Sequence, residues 1–279
     1  MTTQEQQSGD SIATSLIGVP DPDIPIYRIF PLWFFEEALR LRQLVLVSPR
    51  SWEDPYEIIG DAIAVDFENN GRIEQEIINQ SLPPVFAQCW SATEESDTLL
   101  RAYSRVVKDP HFRRNACPRD EGVCVKSTPR KLLHALMLGA RSTGNGSWFL
   151  GAVNYLCQDE LQQEIANAIG QHGLDVFSVP TNRARLLLLK RKAFSHEAEL
   201  RVLFVQQNSA PVQPMLRVPI NPLAVFDEIS FDPRLELFER KEREAAVRRL
   251  GFKGTISDTG LYQRTLLQVR LVSSPGSST

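Results

Sequence analysis

Residues Glu197 to Val205 place charge and bulk with a period of two. Such alternation is the signature of a strand, and it predicts one over this segment. Ala198, Leu200, Val202 and Phe204 would face a core, and Glu197, Glu199 and Arg201 the other side. A strand so dense in Val, Leu and Phe needs a sheet and a covering layer, so an all-helical chain is excluded. Two carboxylates one pleat apart repel unless a cation or a ligand hydroxyl lies between them, and such pairs prepare an acid or a base. The same pattern equally suits an edge strand with a solvated face and a surface Glu–Arg pair of little worth.

Helix and strand signals alternate along the rest of the chain. Helices are predicted from Pro31 through Leu41, from an Asp97 cap through Val107, from Pro129 through Leu138, over Asp159–Ile169 and over Arg234–Leu250. Strands are predicted at Leu44–Val47, Val85–Trp90, Gly122–Lys126, Trp148–Leu156, Leu216–Pro219, Ala224–Phe231, Gly254–Ser257 and Thr265–Val272. Ser142–Ser147 reads as a loop, and Arg183–Arg191 fits a helix or a buried strand. The spacing is not that of regular βαβ units, so the expected class is α+β: mixed or antiparallel sheets with flanking helices. Residues 1–24 read as a flexible polar tail, 25–272 as one compact domain and 273–279 as a second tail.

Charge and cysteine usage narrow the function. With 34 acidic against 31 basic residues the net charge is −3, which speaks against a histone-like polyanion binder. Basic residues still gather at Arg101–Arg119 and at Arg183, Arg185, Lys190, Arg191 and Lys192, where an anionic partner would fit, although helical surfaces are often this basic with no partner. Cys89, Cys117, Cys124 and Cys157 form no close pair, and the four histidines supply no zinc spacing. No signal segment and no apolar run of about 18 residues is present, so a reduced, cytoplasmic, metal-independent protein without membrane contact is expected. No GxSxG, Walker A, GxGxxG or HExxH motif occurs, which speaks against the reactions those motifs carry.

Three further segments have the residue types of a site. Ser48–Glu57 follows a predicted strand, and its prolines hold Trp52, Asp54 and Tyr56 in fixed directions, for binding or as a structural lid over the core. Ser91-Ala92-Thr93 offers hydroxyls beside a helix start, for a ligand or for local capping. Tyr27-Arg28 opens the ordered chain with a residue suited to bidentate phosphate contact, or with an ordinary surface arginine.

Taken in order, Tyr27-Arg28, the Ser48–Glu57 turn, Cys89-Trp90-Ser91 leading to Tyr103, Gly122–Val125, Val153–Tyr155 and the Glu-x-Glu-x-Arg of Glu197–Arg201 resemble the bacterial family called domain of unknown function 2971. More distantly, Arg28, Ser91-Ala92-Thr93 and Glu197-Ala198-Glu199 resemble the layout of NAD-dependent ADP-ribosyltransferases. That resemblance implies NAD as substrate without a metal, and transfer of ADP-ribose to a protein or nucleic-acid acceptor, with phage defence or a toxin role as the setting by analogy. It implies Glu199 near the ribose and Glu197 toward the acceptor. Arg28 would lie on a phosphate, with Ser91 buttressing Glu199 and Trp52 or Tyr103 stacked on the nicotinamide. Asp54 and Arg201 complete the expected binding set. Two other classes fit the same residues: a magnesium-dependent nuclease with Asp54, Glu57, Glu197 and Glu199 as oxygen ligands, and a non-catalytic nucleotide- or protein-binding module.

Overall fold

The computed structural model describes residues 12–57, 64–69, 72–77, 84–140, 145–207, 213–263 and 266–270. From the N-terminus, β1 (Leu16–Ile17) and β2 (Ile26–Pro31) lead into α1 (Leu32–Leu41) and β3 (Gln43–Val47). A hairpin of β4 (Ala64–Asn69) and β5 (Arg72–Ile77) precedes β6 (Val85–Ser91) and α2 (Asp97–Tyr103). Next come β7 (Gly122–Ser127), α3 (Pro129–Gly139), β8 (Gly146–Ala152), β9 (Asn154–Leu156) and α4 (Gln158–His172). The short α5 (Asp175–Ser178) and α6 (Pro180–Leu186) lead to β10 (Leu189–Arg191) and β11 (Glu199–Gln206). The chain continues through β12 (Met215–Pro219), α7 (Pro222–Val225), β13 (Glu228–Phe231), α8 (Leu237–Arg249) and β14 (Thr255–Ser257).

Ten of these strands form one mixed sheet in the order β1-β8-β11-β6-β2-β7-β13-β14, with β3 and β12 branching from β6. The two end pairs, β1 with β8 and β13 with β14, are parallel, and the pairs between them are antiparallel. The architecture is α+β, as the pattern predicts.

Burial explains the sheet's course. Leu200, Val202 and Phe204 of β11 enter the main core with Phe35 and Leu39 of α1 and Leu132, Leu133 and Leu136 of α3. Leu203 and Val205, on the opposite face, pack with Phe149, Ala184 and Leu188 under α6. Both faces of β11 are therefore covered, and its row of Val, Leu and Phe is what a doubly buried strand requires.

That burial corrects the edge-strand reading of Glu197–Val205. β11 pairs with β6 and with β8 over seven residues each. Glu197 is not in the pleat: it ends a 3₁₀ turn over Lys192–Glu197, and Ala198 follows in the left-handed region at φ 43°.

Other expectations shift in similar ways. Arg183–Arg191 is both a helix end and a strand, since α6 stops at Leu186 and β10 starts at Leu189. Trp148–Leu156 breaks at Val153, and β9 leaves the main sheet to pair with β10 in parallel. Ser96, not Asp97, caps α2 through its hydroxyl, and Asp97 in the first turn pairs with Arg101. The tail expected over 1–24 ends short: Ile12 and Val19 are buried in the core, and Leu16–Ile17 pairs with β8. Gly146 and Ser147 belong to β8, while most of the loop expected before them lies outside the described residues. Residues 266–270 of the expected last strand carry no strand, with Leu266, Leu267 and Val269 exposed, and 271–279 lie outside the described residues.

Candidate active-site cavity

The site begins where the middle of the sheet splits. Along one edge β6 is fully paired by β11, but on its other edge it meets β2 only at Tyr27–Ser91 and β3 only at Val47–Ala87. Between those two contacts the strands diverge, and a cavity of about 690 Å³ opens there. That volume lies within the usual span of small-molecule sites, about 300–1,000 Å³. Arg28, Trp52, Asp54, Ser91, Tyr103, Glu197 and Glu199 all line it, despite their wide separation in the chain. Arg201, the remaining residue of the expected set, is fully enclosed and lies behind Glu199 and Trp52.

The turn before β11 is tied down by backbone and hydroxyl groups. Ser91 Oγ donates to the Glu197 carbonyl at 2.7 Å and accepts from the Thr93 N–H at 3.0 Å. The Ala92 N–H donates to the Ala198 carbonyl at 2.8 Å. The Glu199 N–H donates to the Tyr155 hydroxyl at 2.8 Å. Burial pushes the Tyr155 phenol up to about 12, so it remains protonated through neutral pH. These bonds hold Ala198 in its left-handed conformation, which a non-glycine residue adopts only under local constraint. The left-handed turn at Ala198 takes Glu197 out of the strand, yet its side chain still meets Lys190 beside that of Glu199.

That lysine is Lys190, at the middle of β10. Its Nζ lies 2.9 Å from Glu57 Oε1, 2.6 Å from Glu197 Oε2 and 3.1 Å from Glu199 Oε2. Arg201 closes the group. Its Nη2 donates to Glu57 at 2.6 Å and to Glu199 Oε2 at 2.9 Å, its Nε to Glu199 Oε1 at 3.0 Å, and its Nη1 to the Leu187 carbonyl at 2.7 Å. Three carboxylates against two cations leave one negative charge in excess. Burial pushes the Glu199 carboxyl up, but Arg201 and Lys190 outweigh it and hold the group below the ordinary carboxylate range. Burial likewise lowers Lys190 and Arg201, and the glutamates beside them more than reverse it. Glu199, Lys190 and Arg201 therefore carry their charges at neutral pH.

Around this cluster the cavity wall is aromatic and cationic. Trp52 sets its ring against the Arg201 guanidinium at 4.4 Å and packs on the cluster of Leu203 and Val205, which matches the lid reading of its turn. Asp54 accepts a bidentate pair from Arg191 at 3.0 and 3.1 Å, and Arg191 in turn lies over the Tyr56 and Phe194 rings. Tyr103 keeps half of its surface exposed. Burial, followed by the charge of Glu199, pushes the Cys89 thiol well above its ordinary value, so it is no thiolate nucleophile.

Arg28 differs from the other cations. It lies 5.0 Å over the Phe30 ring, and among the described residues no carboxylate pairs with it. Burial lowers its pKa, yet a guanidinium keeps its charge at neutral pH.

The metal-ligand alternative meets a specific obstacle here. Glu57, Glu197 and Glu199 converge on an ammonium, and Asp54 turns to Arg191. Among the described residues no group of three or more His, Cys, Asp or Glu is arranged to hold a metal ion.

In the sequence Lys190 and Arg191 stand out only as part of a basic run and of an apolar stretch before Glu-x-Glu-x-Arg, and Glu57 as the end of the Ser48–Glu57 turn and a metal-ligand alternative. Phe194 does not stand out there. No local signal marks Lys190 as the centre, because its partners arrive through the β9–β10 pairing and the Ser48–Glu57 turn.

No family model matches the chain and no curated protein matches it, so the likeness to domain of unknown function 2971 stays a sequence-level expectation. Solved structures similar to it include three of DarT from Thermus sp. 2.9. That in complex with carba-NAD+ is 13% identical with a TM-score of 0.33, and the alignment covers 85% of this chain and 96% of that one. The complex with ADP-ribosylated ssDNA is 12% identical with a TM-score of 0.36, over 87% and 96%. The complex with NAD+ is 12% identical with a TM-score of 0.33, over 86% and 96%.

Proposed function

We propose that this protein is an NAD-dependent ADP-ribosyltransferase, which breaks the nicotinamide–ribose bond and passes ADP-ribose to a protein or nucleic-acid acceptor. The observation that carries this reading is the bipolar cavity. It is lined by Arg28, a cation with no carboxylate partner among the described residues, and by Glu57, Glu197, Glu199 and Lys190 of a cluster whose formal charge is one negative in excess. NAD has the matching polarity, with an anionic pyrophosphate and a cationic nicotinamide ring on its ribose. Arg28 takes the pyrophosphate, where a guanidinium fork suits two oxygens. Tyr103, half exposed at the cavity wall, stacks on the nicotinamide.

The bond breaks with its electron pair leaving on nicotinamide, and positive charge grows on the ribose C1′. Fixed negative charge of the glutamate cluster stabilises that state without reorganising, because Lys190 and Arg201 already hold its carboxylates in place. Acceptor attack then forms the new bond to C1′, and a carboxylate takes the acceptor's proton. Ser91, Asp54, Trp52 and Arg201 hold this machinery in place through the contacts described above.

The test is ligand-induced stabilisation together with nicotinamide release. NAD is expected to raise the Tm of the wild type, since a ligand bound only by the folded state stabilises it. Arg28→Ala is expected to weaken NAD binding at least about tenfold, the size of one lost charged hydrogen bond. Absence of both a shift at millimolar NAD and nicotinamide release, with protein, DNA and RNA acceptors supplied, would reject the reading.

A further inference from the structure

The three glutamates of the cluster are not equivalent. Glu57 and Glu199 are almost wholly enclosed, with side chains 7% and 4% exposed, while Glu197 is 22% exposed. Glu199 has no oxygen to spare: Oε1 accepts from Arg201 Nε, and Oε2 accepts from both Arg201 Nη2 and Lys190 Nζ. Glu197 uses only Oε2, on Lys190. Its Oε1 has no partner among the described residues, and the residue lines the cavity. A carboxylate whose lone pairs already serve three charged donors has little left for a ligand hydroxyl. One with an unengaged, accessible oxygen is ready to accept.

We infer that Glu197, not Glu199, is the catalytic carboxylate that meets the ribose, and that Glu199 is a positioning residue that acts through Lys190; this assignment rests on the transferase reading above. Lys190 is the link. It joins the buried Glu57 and Glu199 to Glu197, so the fixed pair sets where the third carboxylate stands. In the reaction the C1′–nicotinamide bond breaks with its electrons on the leaving group. The acceptor's bond to C1′ forms, and the acceptor's proton passes to the Glu197 carboxylate and from there to water. The balance needs no oxidant, reductant or further co-reactant.

Four variants separate the roles: Glu197→Gln, Glu199→Gln, Lys190→Arg and Lys190→Met. Each is measured for Tm and for kcat and KM of nicotinamide release, at temperatures well below its own Tm. For Glu197→Gln the expected result is an unchanged Tm, a kcat lower by about 100-fold and a KM changed far less, the signature of an interaction made in the transition state. For Glu199→Gln the Tm falls by several degrees, because Arg201 loses an ionised partner, yet folded enzyme keeps more than about a tenth of kcat. Lys190→Arg, which preserves the charge, keeps more activity than Lys190→Met. Near-normal kcat in Glu197→Gln overturns the assignment, as does a 100-fold loss in Glu199→Gln at unchanged Tm. A wild type that releases no nicotinamide rejects the transferase reading and this assignment together. An active wild type indifferent to Glu197 rejects the assignment alone.

Discussion

Arg201 and Arg191 both pair with carboxylates at the cavity, but their surroundings differ. Arg201 has no exposed surface and bridges Glu57 and Glu199, while the side chain of Arg191 is 36% exposed and binds Asp54 alone. Removing one partner from a buried ionic group leaves uncompensated charge, which costs about 3–5 kcal/mol. Arg201→Met leaves one ammonium for three carboxylates and is expected to lose that much in urea denaturation. The Asp54 side chain is only 6% exposed, so Arg191→Ala also leaves a buried carboxylate without its guanidinium; it is expected to cost stability, but less than Arg201→Met, because Arg191 is itself partly solvated. Equal losses in the two variants would show that burial does not set the strength of these pairs.

Gly151 shows how the elements around the cavity depend on close approach. It lies on β8 directly opposite Arg201 of β11. A methyl at that position would overlap the Leu188 side chain. Leu188 precedes β10, and its carbonyl accepts from the Asn154 N–H, so it fixes the entry of the strand that carries Lys190. Gly151→Ala is expected to cost about 1–3 kcal/mol through overpacking, and to displace Lys190 along with Leu188. Thermal unfolding checks the first effect. A smaller Tm rise with NAD than in wild type checks the second, since Lys190 lines the binding cavity. A variant as stable as wild type, with the same NAD shift, would show that Leu188 can move aside freely.

For the whole molecule, the charged cluster makes stability depend on pH at both extremes. Glu199 is depressed in the folded state. Its contribution is therefore present above the unfolded glutamate value, about 4.3, and is lost as pH falls through the folded value. Lys190 is raised in the folded state. Its contribution is complete below the unfolded lysine value, about 10.4, and is lost as pH rises through the folded value. The urea midpoint is expected to be level through neutral pH and to fall on the acid side below about pH 4.3. The acid limb should be shallower in Glu199→Gln, which has no carboxyl there to protonate. An acid limb of unchanged steepness in that variant would mean that Glu199 contributes nothing to it.

The elements themselves were largely legible because they rest on short-range pattern. Apolar periodicity marked β6, β7, β11, α1 and α3, and proline and threonine near their starts placed α1 and α3. The segments of the cavity were also visible as chemistry: an arginine after a tyrosine, a proline-held Trp-Asp turn, a serine at a strand end, and two glutamates near an arginine. Their convergence depends on strand order, in which β6 lies between β11 and β2, and no local signal carries that. The sequence by itself determined which groups carry charge and which segments present them. Only the tertiary structure decided that β11 is interior, that Ala198 turns Glu197 out of the strand, and that Lys190 joins three carboxylates. The physical reason is range. Periodicity acts over a few residues, whereas the burial that enclosed Arg201 and left Glu197 with an open oxygen comes from elements far apart in the chain.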